Sequence, residues 1–239
     1  MAVVSVPPRC IVTDLDRTLT GPDLVLHPAA LARIRALRAE GFKLVVATGR
    51  RFDDPHVARL LRDLDGLVAE NGAVVCLPHR NSVDVSHPEF GRAARAALGP
   101  LAERFRWGLV VGSGPRELSG DATTRLAQHG VDHTVEFNAE EAMLLPPGVD
   151  KTTGAEACLR EWGLTAESVW GIGDGENDVA LLKWAGVGAA PANGVASALA
   201  VADVLMAASY AQAFLELTDP LVPPGSERPP LTGGAVPEA

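Results

Sequence analysis

Short unbroken apolar runs alternate along the first part of the chain with stretches whose apolar residues recur every three or four positions. Cys10-Ile-Val-Thr13 is the first run, of the kind a strand buried on both faces requires. Leu31, Ile34 and Leu37 then follow at helical spacing, with Pro28 suited to the first turn and Gly41 to the stop. Phe42 to Ala47 reads as a second strand. A helix opens after Asp54 with Pro55 at its first position and Val57, Leu60, Leu61 and Leu64 on one face. Leu67 to Ala69 is a third strand. Strands alternating with helices predict a parallel sheet.

The pattern changes at Glu70-Asn71-Gly72, where Asn-Gly signals a direct return of the chain through Ala73 to Leu77. Residues 73–147 mix strands near Trp107–Val111, Asp132–Asn138 and Ala142–Leu145 with helices near Glu89–Phe105 and Asp121–His129. That length exceeds any structureless connection and predicts an inserted α+β domain closing at the Pro146-Pro147-Gly148 hinge. The alternation resumes with a helix at Lys151–Trp162, a strand at Ser168–Ile172, a helix at Asn177–Ala185, and strands at Gly186–Ala190 and Asp203–Met206. The expected fold class is thus α/β, with a discontinuous core over 1–72 and 148–218, an insert over 73–147, and a loose Pro/Gly-rich tail over 219–239.

Composition narrows the classes. The 239 residues are 47% hydrophobic and 21% charged, a globular balance. A net charge of −9 argues against nucleic acid or an anionic membrane as partner. It leaves room for an anionic substrate, because one bound cation reverses the sign of a site locally. Cys10, Cys76 and Cys158 show neither pairing nor metal-ligand spacing, which fits a reducing cytoplasm. The opening residues up to Pro8 lack a basic region and contain two prolines, so no secretory leader is expected. The most apolar stretch, Val179 to Ala208, is interrupted by Lys183, Pro191, Asn193 and Asp203 and makes a poor membrane span.

Four polar clusters fall after strand-like runs or at a helix start near one, where an open α/β sheet gathers its ligand site. Asp14-Leu15-Asp16-Arg17-Thr18 places two carboxylates on alternate residues. It serves either as a solvated acidic turn or as a nucleophile and an acid/base sharing a metal. Thr48-Gly49-Arg50 offers a hydroxyl and a flexible backbone to an anion, or an ordinary helix cap. Lys151 is one of only three lysines, beside Lys43 and Lys183, in a chain that otherwise uses arginine. Gly173-Asp174-Gly175-Glu176-Asn177-Asp178 sets two carboxylates one helical turn apart. Oxygen donors of that kind suit Mg²⁺.

In this order and spacing the four clusters resemble the haloacid dehalogenase superfamily of aspartate-nucleophile phosphatases. The insert between the Thr48 and Lys151 clusters resembles the type IIB cap of the Cof-like sugar phosphatases and archaeal-type phosphoglycolate phosphatases. The resemblance implies a Rossmann-like parallel-sheet core and a Mg²⁺-dependent phosphomonoesterase forming an aspartyl-phosphate on Asp14. Asp16 is then the general acid/base. Thr48, Gly49, Arg50, Lys151 and Asn177 hold the phosphate or substrate. Asp14, Asp174, Asp178 and the backbone carbonyl of Asp16 surround the metal, with Asp178 close by or bridged through water. The implied partner is a small phosphorylated metabolite, in the cytoplasm, with the chain a monomer or homodimer. Three departures stand out: Arg17 where most type II members have Gly, Thr152-Thr153 after Lys151 where a small Gly is usual, and Pro191-Ala192-Asn193 in place of Met-Gly-Asn.

Two alternatives share these residues. A receiver-like phosphoacceptor also uses Asp, Thr, Lys and Mg²⁺, but is about half this length and has no second acid two residues after the first. A phosphomutase returns the phosphoryl group to a second hydroxyl, and only its products separate it from a phosphatase. Glu70 and Asn71 sit at the junction and could face the site, though hinge geometry explains Asn-Gly equally well.

Overall fold

A parallel strand covered on both faces must be apolar at every position, and the first runs meet that demand. In the structure, a computed structural model describing residues 7–223, β1 is Cys10–Thr13 and β2 is Lys43–Ala47. Ile11, Leu44 and Val46 point into one hydrophobic layer, and Cys10, Val12, Val45 and Ala47 into the other. Two-residue periodicity thus feeds two cores from single strands. β3 (Gly66–Ala69), β10 (Val169–Ile172), β11 (Val187–Ala190) and β12 (Val204–Leu205) extend the parallel sheet in the order β12-β11-β10-β1-β2-β3. The first layer is covered by α1 (Pro28–Ala39), α2 (Pro55–Leu60) and α8 (Tyr210–Thr218). The second is covered by α5 (Lys151–Trp162) and α6 (Val179–Trp184). The short α7 (Ala196–Leu199) packs beyond β11.

The chain then corrects the expected start of the insert. β4 (Val74–Leu77) returns antiparallel against β3, and β5 (Ser82–Val85), which the apolar pattern does not reveal, pairs with β4. Both belong to the eight-stranded central sheet, so the inserted layer begins after Val85 rather than at residue 73.

That layer contains α3 (Phe90–Leu98), β6 (Arg106–Trp107), β7 (Gly112–Pro115), α4 (Ser119–Gln128), β8 (Thr134–Asn138) and β9 (Glu141–Leu145). Its sheet is antiparallel, in the order β6-β7-β9-β8. A strand over Trp107–Val111 does not form. Residues 108–111 are a loop between β6 and β7, its amides turned away from the ladder. The helix expected to run to Phe105 stops at Leu98, because Gly99 adopts φ +56 and Pro100 follows; a short 3₁₀ helix replaces its end. One face of the small sheet packs Leu144 and Val135 against residues of α3 and α4. The other, carrying Arg106, Ser113, Glu136, Asn138, Glu141 and Met143, follows from the strand register.

The tail expected from Asp219 begins with a 3₁₀ helix at Asp219–Leu221, and Asp219 pairs with Arg33. Residues 1–6 and 224–239, on which most of the leader and tail expectations fall, lie outside the described residues. No helix among the described residues is long and apolar enough to cross a membrane.

Candidate active site

The carboxyl ends of β1, β2 and β10 and the first turn of α5 deliver the chemical groups to one place. Asp14 leaves β1 with its N–H on the Ile172 carbonyl of β10, 2.8 Å away. Asp174 stands two residues beyond the end of β10. Gly173 permits the turn, since a Cβ there would lie 2.3 Å from the Asp178 carboxyl carbon. Lys151 enters from α5, whose start is fixed by Asp150 as N-cap and Thr153 closing a capping box. The Thr152 hydroxyl also donates to the Asp150 carboxylate.

Lys151 has no exposed surface and donates to Asp14 Oδ1 and Asp178 Oδ1, each at 2.6 Å. Burial pulls its pKa down, but the two carboxylates outweigh burial and hold it above the usual lysine value. Asp14 is raised well above the carboxylate range, first by burial and then by Asp178, Asp174 and Asp16, with Lys151 opposing. Asp174 is raised to about 6 by burial and Asp178, against Thr18, Lys151 and Arg17. Asp178 has both oxygens engaged, Oδ1 by Lys151 and Oδ2 by the amides of Asp174 and Gly175 at 3.1 and 2.8 Å.

One oxygen from each of Asp14, Asp174 and Asp178 lies within 4.8 Å of the others. Three buried carboxylates facing one ammonium leave negative charge in excess, and an all-oxygen donor set fits a hard divalent cation. Asp178 belongs to this group although both its oxygens already take hydrogen bonds. The Asp16 carboxylate is not in this group. Arg50 grips it by both oxygens, Nε to Oδ2 at 2.8 Å and a terminal nitrogen to Oδ1 at 2.6 Å.

The expected phosphate contacts divide. Thr48 is fully buried at the end of β2, its hydroxyl accepting from the Arg50 amide at 3.1 Å. Gly49 borders the cavity and faces Met143 of the inserted layer. Arg50 is occupied by Asp16 and, more weakly, by Asp54 at 3.4 Å, and so acts first on the acid rather than on phosphate. Asn177 donates to Asn71 Oδ1 at 3.0 Å, while its own Oδ1 is buried without a partner among the described residues.

Sequence reasoning missed several groups. Thr18 donates to Asp174 Oδ1 at 3.0 Å, and Asn193 bridges Asp174 Oδ2 and the Arg17 carbonyl at 3.3 and 3.0 Å. Thr18 stood in the first motif and Asn193 in a noted departure, yet nothing in either spacing showed the contact. Asn71 reaches Glu136 of β8 at 2.5 Å, and burial lifts the Glu136 carboxyl to about 7, Asp150 and Asp178 adding to it and Lys151 opposing. The polar face of the small sheet closes a cavity of about 370 Å³ over Asp14 and Asp16, walled by Arg106, Ser113, Asn138, Glu141 and Met143.

Comparison with known proteins agrees with this arrangement. Residues 11–93 and 117–215 match the haloacid dehalogenase-like hydrolase family. A phosphoglycolate phosphatase of Natronomonas pharaonis is 33% identical over 224 residues, covering 87% of this chain and 96% of the relative. A phosphoglycolate phosphatase of Methanopyrus kandleri is 30% identical over 208 residues, covering 82% and 89%. Among solved structures, Thermoplasma acidophilum 0175 superposes with a TM-score of 0.76 at 19% identity, covering 90% of this chain and 98% of that one. A subclass IIB sugar phosphatase superposes at 0.68 with 17% identity, covering 83% and 93%. These two show a shared fold of core and cap. The family match spans both segments of the core and every cluster described above, so the chain belongs to the haloacid dehalogenase-like hydrolases and is a phosphatase of that superfamily.

Proposed function

We propose that the protein is a Mg²⁺-dependent phosphomonoesterase for a small polar phosphorylated metabolite, a sugar phosphate or a phosphoglycolate-like acid. The observation that carries this reading is Lys151, buried between Asp14 and Asp178 beside Asp174, with a second acid two residues after Asp14. Asp14 Oδ2, which takes no hydrogen bond from the described residues, is the attacking atom; it forms an aspartyl-phosphate as the ester oxygen leaves. Asp16 gives that oxygen a proton and then takes one from the hydrolytic water. Protonation weakens one Asp16 oxygen as an acceptor, so the bond it takes from Arg50 loosens when Asp16 acts as acid. Lys151 and Thr48 neutralise and orient the phosphoryl oxygens. Asp14, the Asp16 carbonyl and Asp174 would hold Mg²⁺, with Asp178 behind them. Its charge would let an anionic nucleophile approach an anionic ester.

The substrate class rests on the cavity wall. Arginine, serine, asparagine and glutamate side chains line the cavity over Asp14 and Asp16, and no aromatic ring among the described residues lines it to stack on a base. The names of the relatives point the same way. Three free buried cysteines suit a cytoplasmic setting, and the chain acts as a monomer or homodimer. The test is phosphate release from phosphoglycolate, hexose phosphates, nucleotides and an aryl phosphate, with and without Mg²⁺. Metal-dependent release that Asp14→Asn abolishes is expected. Full turnover in a folded Asp14→Asn protein would sink the nucleophile, and transfer of phosphate to a second hydroxyl would mark a mutase.

A further inference from the structure

Glu70, the residue after β3, has a carboxylate that the reaction does not use. It is 1% exposed, and no cationic side chain pairs with it among the described residues. Its partners are three consecutive amides of the cap loop: Leu109 to Oε1 at 2.8 Å, and Val110 and Val111 to Oε2 at 2.9 and 3.0 Å. Successive amides converging on one anion form a concave nest, here filled by an internal carboxylate. Gly108 makes room for it, because a Cβ at that position would lie 2.2 Å from Oε1. The backbone of Glu70 is held at φ +51, a left-handed conformation that a side-chain residue adopts only when its surroundings impose it. From that position its own N–H donates to the Arg50 carbonyl at 2.9 Å, and the Arg50 guanidinium grips Asp16. Glu70 and Val111 also line the cavity that contains Asp14 and Asp16.

We propose that Glu70 is a positioning residue, whose carboxylate clamps cap loop 108–111 to the rim of the core and whose backbone sets the arginine that aims Asp16. The inference rests on the phosphatase reading with Asp16 as the acid. Its signature is dependence on the leaving group. An alkyl phosphate needs the proton from Asp16, whereas an aryl phosphate leaves as a stable phenolate and does not.

The experiment compares wild type with Glu70→Gln, Glu70→Gly and Gly108→Ala. Glutamine turns an NH₂ group toward the converging amides. Glycine tolerates the left-handed backbone without being held in it, and it removes the clamp. The alanine methyl displaces Oε1. Hydrogen exchange at the amides of residues 109–111 reads the clamp directly, and all three variants are expected to lose protection there. For an alkyl phosphate, kcat is expected to fall about ten-fold or more, while kcat for an aryl phosphate stays within about two-fold. Glu70→Gln combined with Gly108→Ala should lose no more than either alone. Unchanged exchange at 109–111 overturns the clamp, and equal losses on both esters overturn the role in aiming Asp16. A wild-type protein that releases phosphate from neither ester overturns the phosphatase reading and the aiming role with it, and the exchange result still decides the clamp.

Discussion

Lys151 keeps its charge with no exposed surface because two carboxylates stand 2.6 Å from its nitrogen. Lys151→Met would leave those carboxylates facing each other without a counterion. Breaking a buried ionic group from one side costs about 3–5 kcal/mol. The expected outcome is a large drop in melting temperature, loss of turnover, and partial recovery of stability on adding Mg²⁺, read by thermal denaturation with and without the metal. Arg17 presents the opposite case. Its backbone sits at φ +61, a region where Gly is at ease and a residue with a side chain is strained. Its guanidinium lies 3.7 Å from Asp174 Oδ2, so it competes with a metal for that carboxylate. Arg17→Gly should stabilise the fold by about 0.5–1 kcal/mol through relief of strain and tighten Mg²⁺ binding. A metal titration followed by activity and a melting curve check both. Asp14 and Asp174 were legible in the sequence because each follows an apolar run that ends a strand. The grip of Arg50 on Asp16 and of Asn177 on Asn71 was not, since the partners are 34 and 106 residues apart and no local pattern records them.

At the scale of elements, closeness of backbone decides more than side-chain contact does. α5 lies so near β3 that a Cβ on Gly154 would fall 2.4 Å from a Val68 methyl and 3.0 Å from the Gly72 Cα. Gly154→Ala must push the helix off the sheet, carrying Lys151 with it. A cost of about 2–3 kcal/mol is expected, in the range of overpacked cores, together with a fall in kcat. Gly120 in α4 meets nothing within 4 Å, and its replacement by Ala should stabilise by about 0.5–1 kcal/mol and leave kcat alone. Urea denaturation of the two variants side by side tests the contrast. The parallel strands were readable because burial on both faces forces unbroken apolar runs. β5, Ser-Val-Asp-Val, was not, since a half-exposed edge strand needs only alternation over four residues. Residues 108–111 looked like strand because Leu-Val-Val is apolar, whereas the amides of residues 109–111 are committed to Glu70 and that of Gly108 to the Val111 carbonyl. α8 was unread too, although Ala211, Ala213, Phe214 and Leu217 form its buried face.

At the scale of the molecule, core and cap share an apolar cluster that joins Ala69 and Val74 to Phe90 and Leu98, and beside it they meet through polar groups sensitive to pH. Glu136 reaches from β8 to Asn71, with Lys151, Asp150 and Asp178 nearby. Its carboxyl stands at about 7 in the folded protein, above its ordinary value of 4.5. The folded state therefore binds more protons than the unfolded state between those values. The stability this group contributes is fully present at the acid end and is lost as pH rises through about 7. Glu136→Gln should remove that slope and stabilise the protein at pH 8 by on the order of 1–3 kcal/mol, as seen in melting temperatures across the pH range. Arg116 adds a second link, pairing with Glu176 of the core at 2.7 Å.

Where the inserted layer leaves the core and where it returns, the chain nearly touches itself. Ser86, directly after β5, and Gly148, shortly after β9, border one cleft. Departure and return at one point mean that the length of what lies between is invisible to the central sheet. A lineage can therefore lengthen, shorten or exchange this layer without disturbing the strand ends that hold the aspartates, and the choice of substrate can drift while the chemistry is inherited intact.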